Sequence, residues 1–100
     1  MVDLSTVNTF PYIRSISATT NATEVKLPPR ARKITIASKT GVVVFAYDGT
    51  DNATPSAHHL FVPNYGMVQQ TLGRGKDRPT SVFVAMDTTP GTVKISFEDE

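Results

Sequence analysis

The sequence predicts an all-β protein, a single antiparallel β-sandwich of jelly-roll-like or immunoglobulin-like form with about seven to eight short strands. Three observations lead there. Short apolar runs, most alternating with polar residues, recur along the chain between turn-forming clusters, as in RKITIAS, SVFVAM and TVKISF. Their centres lie roughly 8 to 14 residues apart, the spacing of short strands joined by tight loops. No stretch carries a sustained apolar stripe at the 3.6-residue period of a helix.

Residues 1–11 form a polar lead, rich in Ser and Thr, with isolated Val and Phe at no firm period. They are expected to be an N-terminal arm, ordered only by a partner, ahead of a sandwich domain spanning residues 12–100. Residues 12–17 (YIRSIS) read as a first strand, with the small, turn-prone residues 18–22 as its exit. Val25 and Leu27 flank Lys26 in a second strand, which Pro28 and Pro29 must end because neither can donate to a ladder. Ile34 and Ile36 share one face of a third. Thr40 and Gly41 turn the chain into Val42-Val43-Val44-Phe45-Ala46-Tyr47, whose lack of alternation predicts burial on both faces or at a subunit contact. This is expected to be the most central strand.

Residues 48–57 (DGTDNATPSA) carry the longest loop signal in the chain, and Leu60-Phe61-Val62 is a short strand that Pro63 cuts off. A turn at Asn64-Tyr65-Gly66 leads to a strand over residues 67–72, and a polar, Gly-rich loop over residues 73–79 leads to a strand over residues 81–86. Pro90 and Gly91 suit a type II turn. Val93, Ile95 and Phe97 then alternate with Lys94 and Ser96 in the cleanest half-buried strand.

One hundred residues leave room for one domain, with a folded surface of ~5,500 Å² by the usual scaling. There are no cysteines, which removes disulfides, thiolate metal sites and cysteine nucleophiles from consideration. Ten Lys and Arg against nine Asp and Glu give a formal charge of +1, too even to make a nucleic acid the expected partner. No run approaches the ~18 apolar residues of a membrane span, and the first residues lack the basic and apolar regions of a signal peptide.

The candidate chemical sites each have a plainer reading. His58 and His59 are strand neighbours that point to opposite faces and cannot both ligate one ion, and Asp48 and Asp51 lie in the preceding loop. No metal is expected. Gly73-Arg74-Gly75-Lys76 lacks the spacing and the following Ser or Thr of a phosphate-cradling loop. Its Arg74, Lys76 and Arg78 would join Lys26, Arg30, Arg32 and Lys33 in a basic patch only if folding brings the loops together. Glu98, Asp99 and Glu100 read as a solvated tail rather than an acid/base pair, and no nucleophile elbow is present. Catalysis and cofactors are therefore not expected. Tyr47, Phe61 and Tyr65 surround the long loop and, without any tryptophan, suit packing better than a sugar platform. The candidate contact residues are Val42, Val44, Phe45, Tyr47, Phe61 and Tyr65.

The order V-x-L-P-x-x-A-R-K-I-T-I from Val25 to Ile36, V-V-F-A-Y-D-G from Val43 to Gly49, L-F-V-P from Leu60 to Pro63, then S-V-F-V-A-M-D and G-T-V-K-I-S-F-E-D, resembles the small β-sandwich virion proteins of tailed bacteriophages. That resemblance implies a non-enzymatic capsid decoration or cement protein, made in the bacterial host cytoplasm and carried in the virion. It further implies a homotrimer bound to the major capsid protein. A tail-associated or host-glycan-binding β-sandwich module is the alternative.

Overall fold

A computed structural model describes residues 1–99; Glu100, last of the acidic tail, lies outside the described residues. The described residues form nine strands and no helix: β1 (Val2–Asp3), β2 (Tyr12–Ala18), β3 (Thr23–Lys26), β4 (Lys33–Ser38), β5 (Val43–Ala46), β6 (Leu60–Val62), β7 (Met67–Thr71), β8 (Ser81–Met86) and β9 (Gly91–Glu98). They make two sheets, β1-β3-β8-β5-β6 and β2-β9-β4-β7. Strand β2 pairs with β9, β3 with β8, β4 with β7 and β5 with β6, all antiparallel. That nesting is one long hairpin rolled up, the jelly-roll arrangement, and it decides between the two sandwich types the sequence allowed.

Alternation along the strands builds the core. Ile34 and Ile36 of β4 and Val93, Ile95 and Phe97 of β9 face inward from one sheet, and Val82, Val84 and Met86 of β8 join Val25, Val43, Phe45 and Val62 from the other. All of these are at most 1% exposed. Each fully buried side chain of this size is worth about 2 kcal/mol relative to exposure, so the double apolar layer outweighs any surface pairing in the molecule. The folded surface is 5733 Å², close to the scaling expectation for a closed body without trailing segments.

The loops are tied at both ends of the sandwich. At one end Met86 N–H donates to Thr19 O (2.8 Å), Asp87 N–H to Val42 O (2.9 Å) and Gly41 N–H to Asn64 Oδ1 (3.0 Å). At the other, Arg78 reaches across from the β7–β8 loop and donates to Pro28 O and Ala31 O, both at 2.7 Å. Burial lowers the pKa of this guanidinium, but an arginine remains charged in any protein environment. Three of its four hydrogen bonds go to Pro28 O and Ala31 O, carbonyls of the proline-rich β3–β4 turn that have no strand partner, and the fourth goes to Pro79 O beside it.

Four expectations are corrected. Residues 1–11 do not wait for a partner to order their first turn: β1 pairs in parallel with β3, Leu4 N–H donates to Lys26 O (3.0 Å), and Leu4 is 1% exposed in the core. Leu4, with Val2, Val7 and Phe10 packed against the core and a strand edge beside it, docks the lead, and β1 raises the strand number to nine. The central strand of the larger sheet is β8, with β5 one place from the edge. Gly91 has no positive φ and opens β9, so there is no type II turn at Pro90; its missing Cβ admits Met86, whose Cε would lie 3.2 Å from a β-carbon there.

Truncating Leu4 to alanine is expected to lower stability by about 2 kcal/mol or more, because the cavity lies inside the common core. Urea unfolding reads it, and an unchanged midpoint would return the lead to the status of a loose arm. Phe45→Ala is expected to cost about 3–5 kcal/mol in the same assay.

Candidate functional site

Strand β5 is buried on both faces, as its unbroken apolar run predicts, and the cover on its outer side comes from the same chain. Val44, Ala46 and Phe83 point away from the core, and residues 47–59 fold back over them. Pro55, Ser56 and His59 close the space above Val44 and Phe83, and Gly49, at φ 146°, lets the backbone approach the Phe83 ring to a distance of 3.3 Å from where a β-carbon would stand. The loop is fastened across the sheet to the start of β3. Ala22 N–H donates to Ala53 O (2.8 Å), Asn52 N–H to Ala22 O (2.6 Å) and Glu24 N–H to Asp51 Oδ1 (2.8 Å). The N-terminal ammonium stands 3.4 Å from Asp51 Oδ2.

The six candidate contact residues therefore separate. Val44 and Phe45 are 3% and 1% exposed, sealed within the chain, and Val42 is half-buried beside the Asp87 hydrogen bond. Tyr47 is half-buried, packed edge-on against Phe45 with ring centroids 6.2 Å apart, and its hydroxyl donates to Gln70 Oε1. Burial raises the pKa of that hydroxyl, keeping it a donor. Phe61 and Tyr65 alone among the six are open to solvent, at 57% and 76%.

Two residues not picked out from sequence lie beside them. Leu60 is 49% exposed and Met67 69%. Strands β6 and β7 are the edges of their respective sheets, and the turn over residues 63–66 keeps both edges on one side of the sandwich. That turn closes through Gly66 N–H to Pro63 O (2.8 Å) with Tyr65 at φ 61°. A bulky residue in the left-handed region costs roughly 1–2 kcal/mol, and type II turns normally place glycine there. The signal that could have revealed this patch is charge: from Asn52 to Gly73 there is no Lys, Arg, Asp or Glu. Edge strands are ordinarily blunted by such charges.

The remaining candidates are absorbed by structure. His59 Nδ1 lies 2.6 Å from Ser56 O and its ring meets Phe61 edge-on at 5.0 Å, while His58 N–H donates to Ser56 Oγ. Asp51 is engaged with the Glu24 amide, and among the described residues no three His, Cys, Asp or Glu come together as a metal site. The β3–β4 and β7–β8 loops do meet, through Arg78, which brings the side of the chain bearing Arg30 and Arg32 next to that bearing Lys76. A groove of about 460 Å³ beside them is lined by Glu24, Lys26, Arg78 and Ser81, in which Ser81 Oγ donates to Glu24 Oε2 at 2.8 Å. Its polar groups are largely spent on one another and on the backbone.

Compared with protein-family models, curated proteins and solved structures, the chain matches none. Fold and site together define a jelly-roll module with tied loops, one roofed broad face and an uncharged apolar edge.

The roof generates a pH prediction. The Asp51 carboxyl is held below its ordinary value of 3.8, first by the Glu24 N–H and then by the N-terminal ammonium. A folded value below the unfolded one stabilises above the ordinary value, and that stabilisation is lost as pH falls through the lower folded value. Asp51→Ala is expected to speed hydrogen exchange at the Glu24 and Ala22 amides at neutral pH, and to flatten the acid limb of the unfolding curve. Exchange indistinguishable from the parent would show that the roof is held by packing alone.

Proposed function

We propose that this chain is a non-enzymatic virion structural protein, a capsid decoration or cement protein that binds and stabilises the shell of a phage head, working as a homo-oligomer with a trimer favoured. The observation that carries the proposal is the combination of a closed, loop-tied jelly roll with exposed apolar side chains gathered on one edge. Such a body offers stiffness and a contact surface. Its loops are hydrogen-bonded to one another, so little ordering entropy stands against binding.

A cement protein works by bridging joints between shell subunits, where many modest contacts act together against internal pressure. The resemblance of the strand order to small β-sandwich phage virion proteins is what points to the major capsid protein as that surface. Within the chain, Phe61 and Tyr65 are the candidate contact residues that remain accessible, while Val42, Val44, Phe45 and Tyr47 act by holding the strand beneath them.

The exposed Phe61 and Tyr65 rings favour one second reading, a tail-associated or host-glycan-binding module, since exposed aromatic faces also stack on sugars. Co-sedimentation separates the two. Mixed with phage heads stripped of their decoration, the protein is expected to pellet with the shell and to raise the temperature at which the heads release DNA. Failure to pellet, together with a positive glycan array, would transfer the assignment to the second reading.

A further inference from the structure

Two arginines meet at the end of the sandwich where the β3–β4 turn touches the β7–β8 loop. Arg78 is fixed there by its bonds to Pro28 O and Ala31 O, both 2.7 Å. Arg32 follows Ala31 directly; its carbonyl accepts from Leu72 N–H and its own N–H donates to Glu98 O, each at 2.7 Å. Residues opposite one another in a ladder share a face, so Arg32 stands on the side of Leu72, which belongs to the core. It is half-buried, its stem along the end of the core and its charge within range of Arg78. After burial, the Arg32 charge is the second influence that lowers the Arg78 pKa.

Neighbouring like charges that leave water ordinarily share a carboxylate. Among the described residues neither Arg32 nor Arg78 has one within 4.0 Å, and the ion pair beside them, Arg30 with Asp99, is exposed and stretched to 4.0 Å. Their donors are divided unequally. Arg78 spends Nε, Nη1 and Nη2 on backbone carbonyls, so what it offers is chiefly a fixed charge. The Arg32 guanidinium makes no hydrogen bond among the described residues, which leaves its planar fork whole.

We infer that Arg32 and Arg78 form a site for one carboxylate, presented by an acidic segment of another protein. The Arg32 fork matches a carboxylate in two parallel bonds, and an anion there turns the repulsion between the two guanidinium groups into attraction to a common partner. One open fork and one fixed charge at the solvent edge are too little to retain a free small acid, which pockets hold by enclosing it. A protein segment brings further contact of its own. Arg78 also borders the groove of about 460 Å³ with Lys26, Leu27 and Thr80, where residues flanking the carboxylate have room to lie. Nucleic acid fits this end less well: residues 28–33 and 73–79 carry no aromatic ring on which a base could stack, and Asp77, Glu98 and Asp99 interrupt the basic track.

The inference stands apart from the decoration role and is tested without any shell. The full chain is titrated at low ionic strength, on the order of 20 mM, with a short polyglutamate peptide up to about 10 mM, and separately with inorganic phosphate and with oligothymidylate. Nuclear magnetic resonance follows the Arg32 Nε–H and the Leu72 amide. Both signals are expected to shift and saturate with the peptide. Arg32→Gln is expected to weaken binding about fivefold or more, and Arg32→Lys to do likewise, since it keeps the charge and loses the fork. Lys94→Gln, on the exposed outer side of β9, should leave binding unchanged. Because Arg32→Gln relieves the repulsion, its urea midpoint in low salt should not fall; Arg32→Lys decides the matter if that variant misfolds. Shifts that never saturate, or equal weakening by Lys94→Gln, would reduce the effect to diffuse charge and overturn the site. Oligothymidylate binding more tightly than the peptide, or phosphate binding as tightly, would overturn the acidic protein segment as its ligand.

Discussion

Strand β9 is the piece on which the sandwich depends. It lies between β2 and β4, pairing with β2 from Tyr12↔Phe97 to Ala18↔Gly91 and with β4 from Lys33↔Glu98 to Ser38↔Val93. Its inward residues Val93, Ile95 and Phe97 are fully buried. Without β9, β2 has no neighbour in its sheet and β4 keeps only β7, so one layer of the core loses its floor. Long-range pairing of this kind must overcome loop-closure entropy before it is rewarded, and the short turns at Gly41 and at residues 63–66 shorten the search by carrying the chain directly from one sheet to the other.

A second dependence follows from β5. A strand that is apolar on both faces needs two covers, and a two-layer sandwich provides one. Residues 47–59 provide the other, and the Asp51 and Ala22 hydrogen bonds hold them over Val44 and Phe83. The longest loop is thus fastened over the sheet, its own residues exposed or half-buried on the outside. Phe61 on β6, Met67 on β7 and Tyr65 in the turn between them stay largely open to solvent.

Much of this was legible in the residues. TVKISF gave a strand with boundaries close to β9 because its period-two pattern matches a half-buried face, and SVFVAM gave β8 as a short, nearly continuous apolar run. Pro28-Pro29 and Pro63 ended strands for want of an amide hydrogen. The double burial of β5 was legible too, but a hydrophobic run reports only that a side chain leaves water. Whether the cover is a loop or a subunit depends on contacts distant in sequence. Leu4 was missed for the opposite reason: Val2, Leu4, Val7 and Phe10 are spaced through the polar lead at no period that can be read. Tyr65 and Met67 are ordinary in a sequence, and become informative only when the backbone angle of the first and the edge position of the second are known.

The pairing of Tyr12 with Phe97 sets the start of β2 beside the end of β9. A tension applied across those two points would draw apart two adjacent antiparallel strands from one end, breaking their rungs singly, like a zip. Tension carried by the faces or the tied loops would instead meet whole ladders in parallel. Mechanically, this is a body strong when gripped by its sides and weak when the start of β2 and the end of β9 are drawn apart.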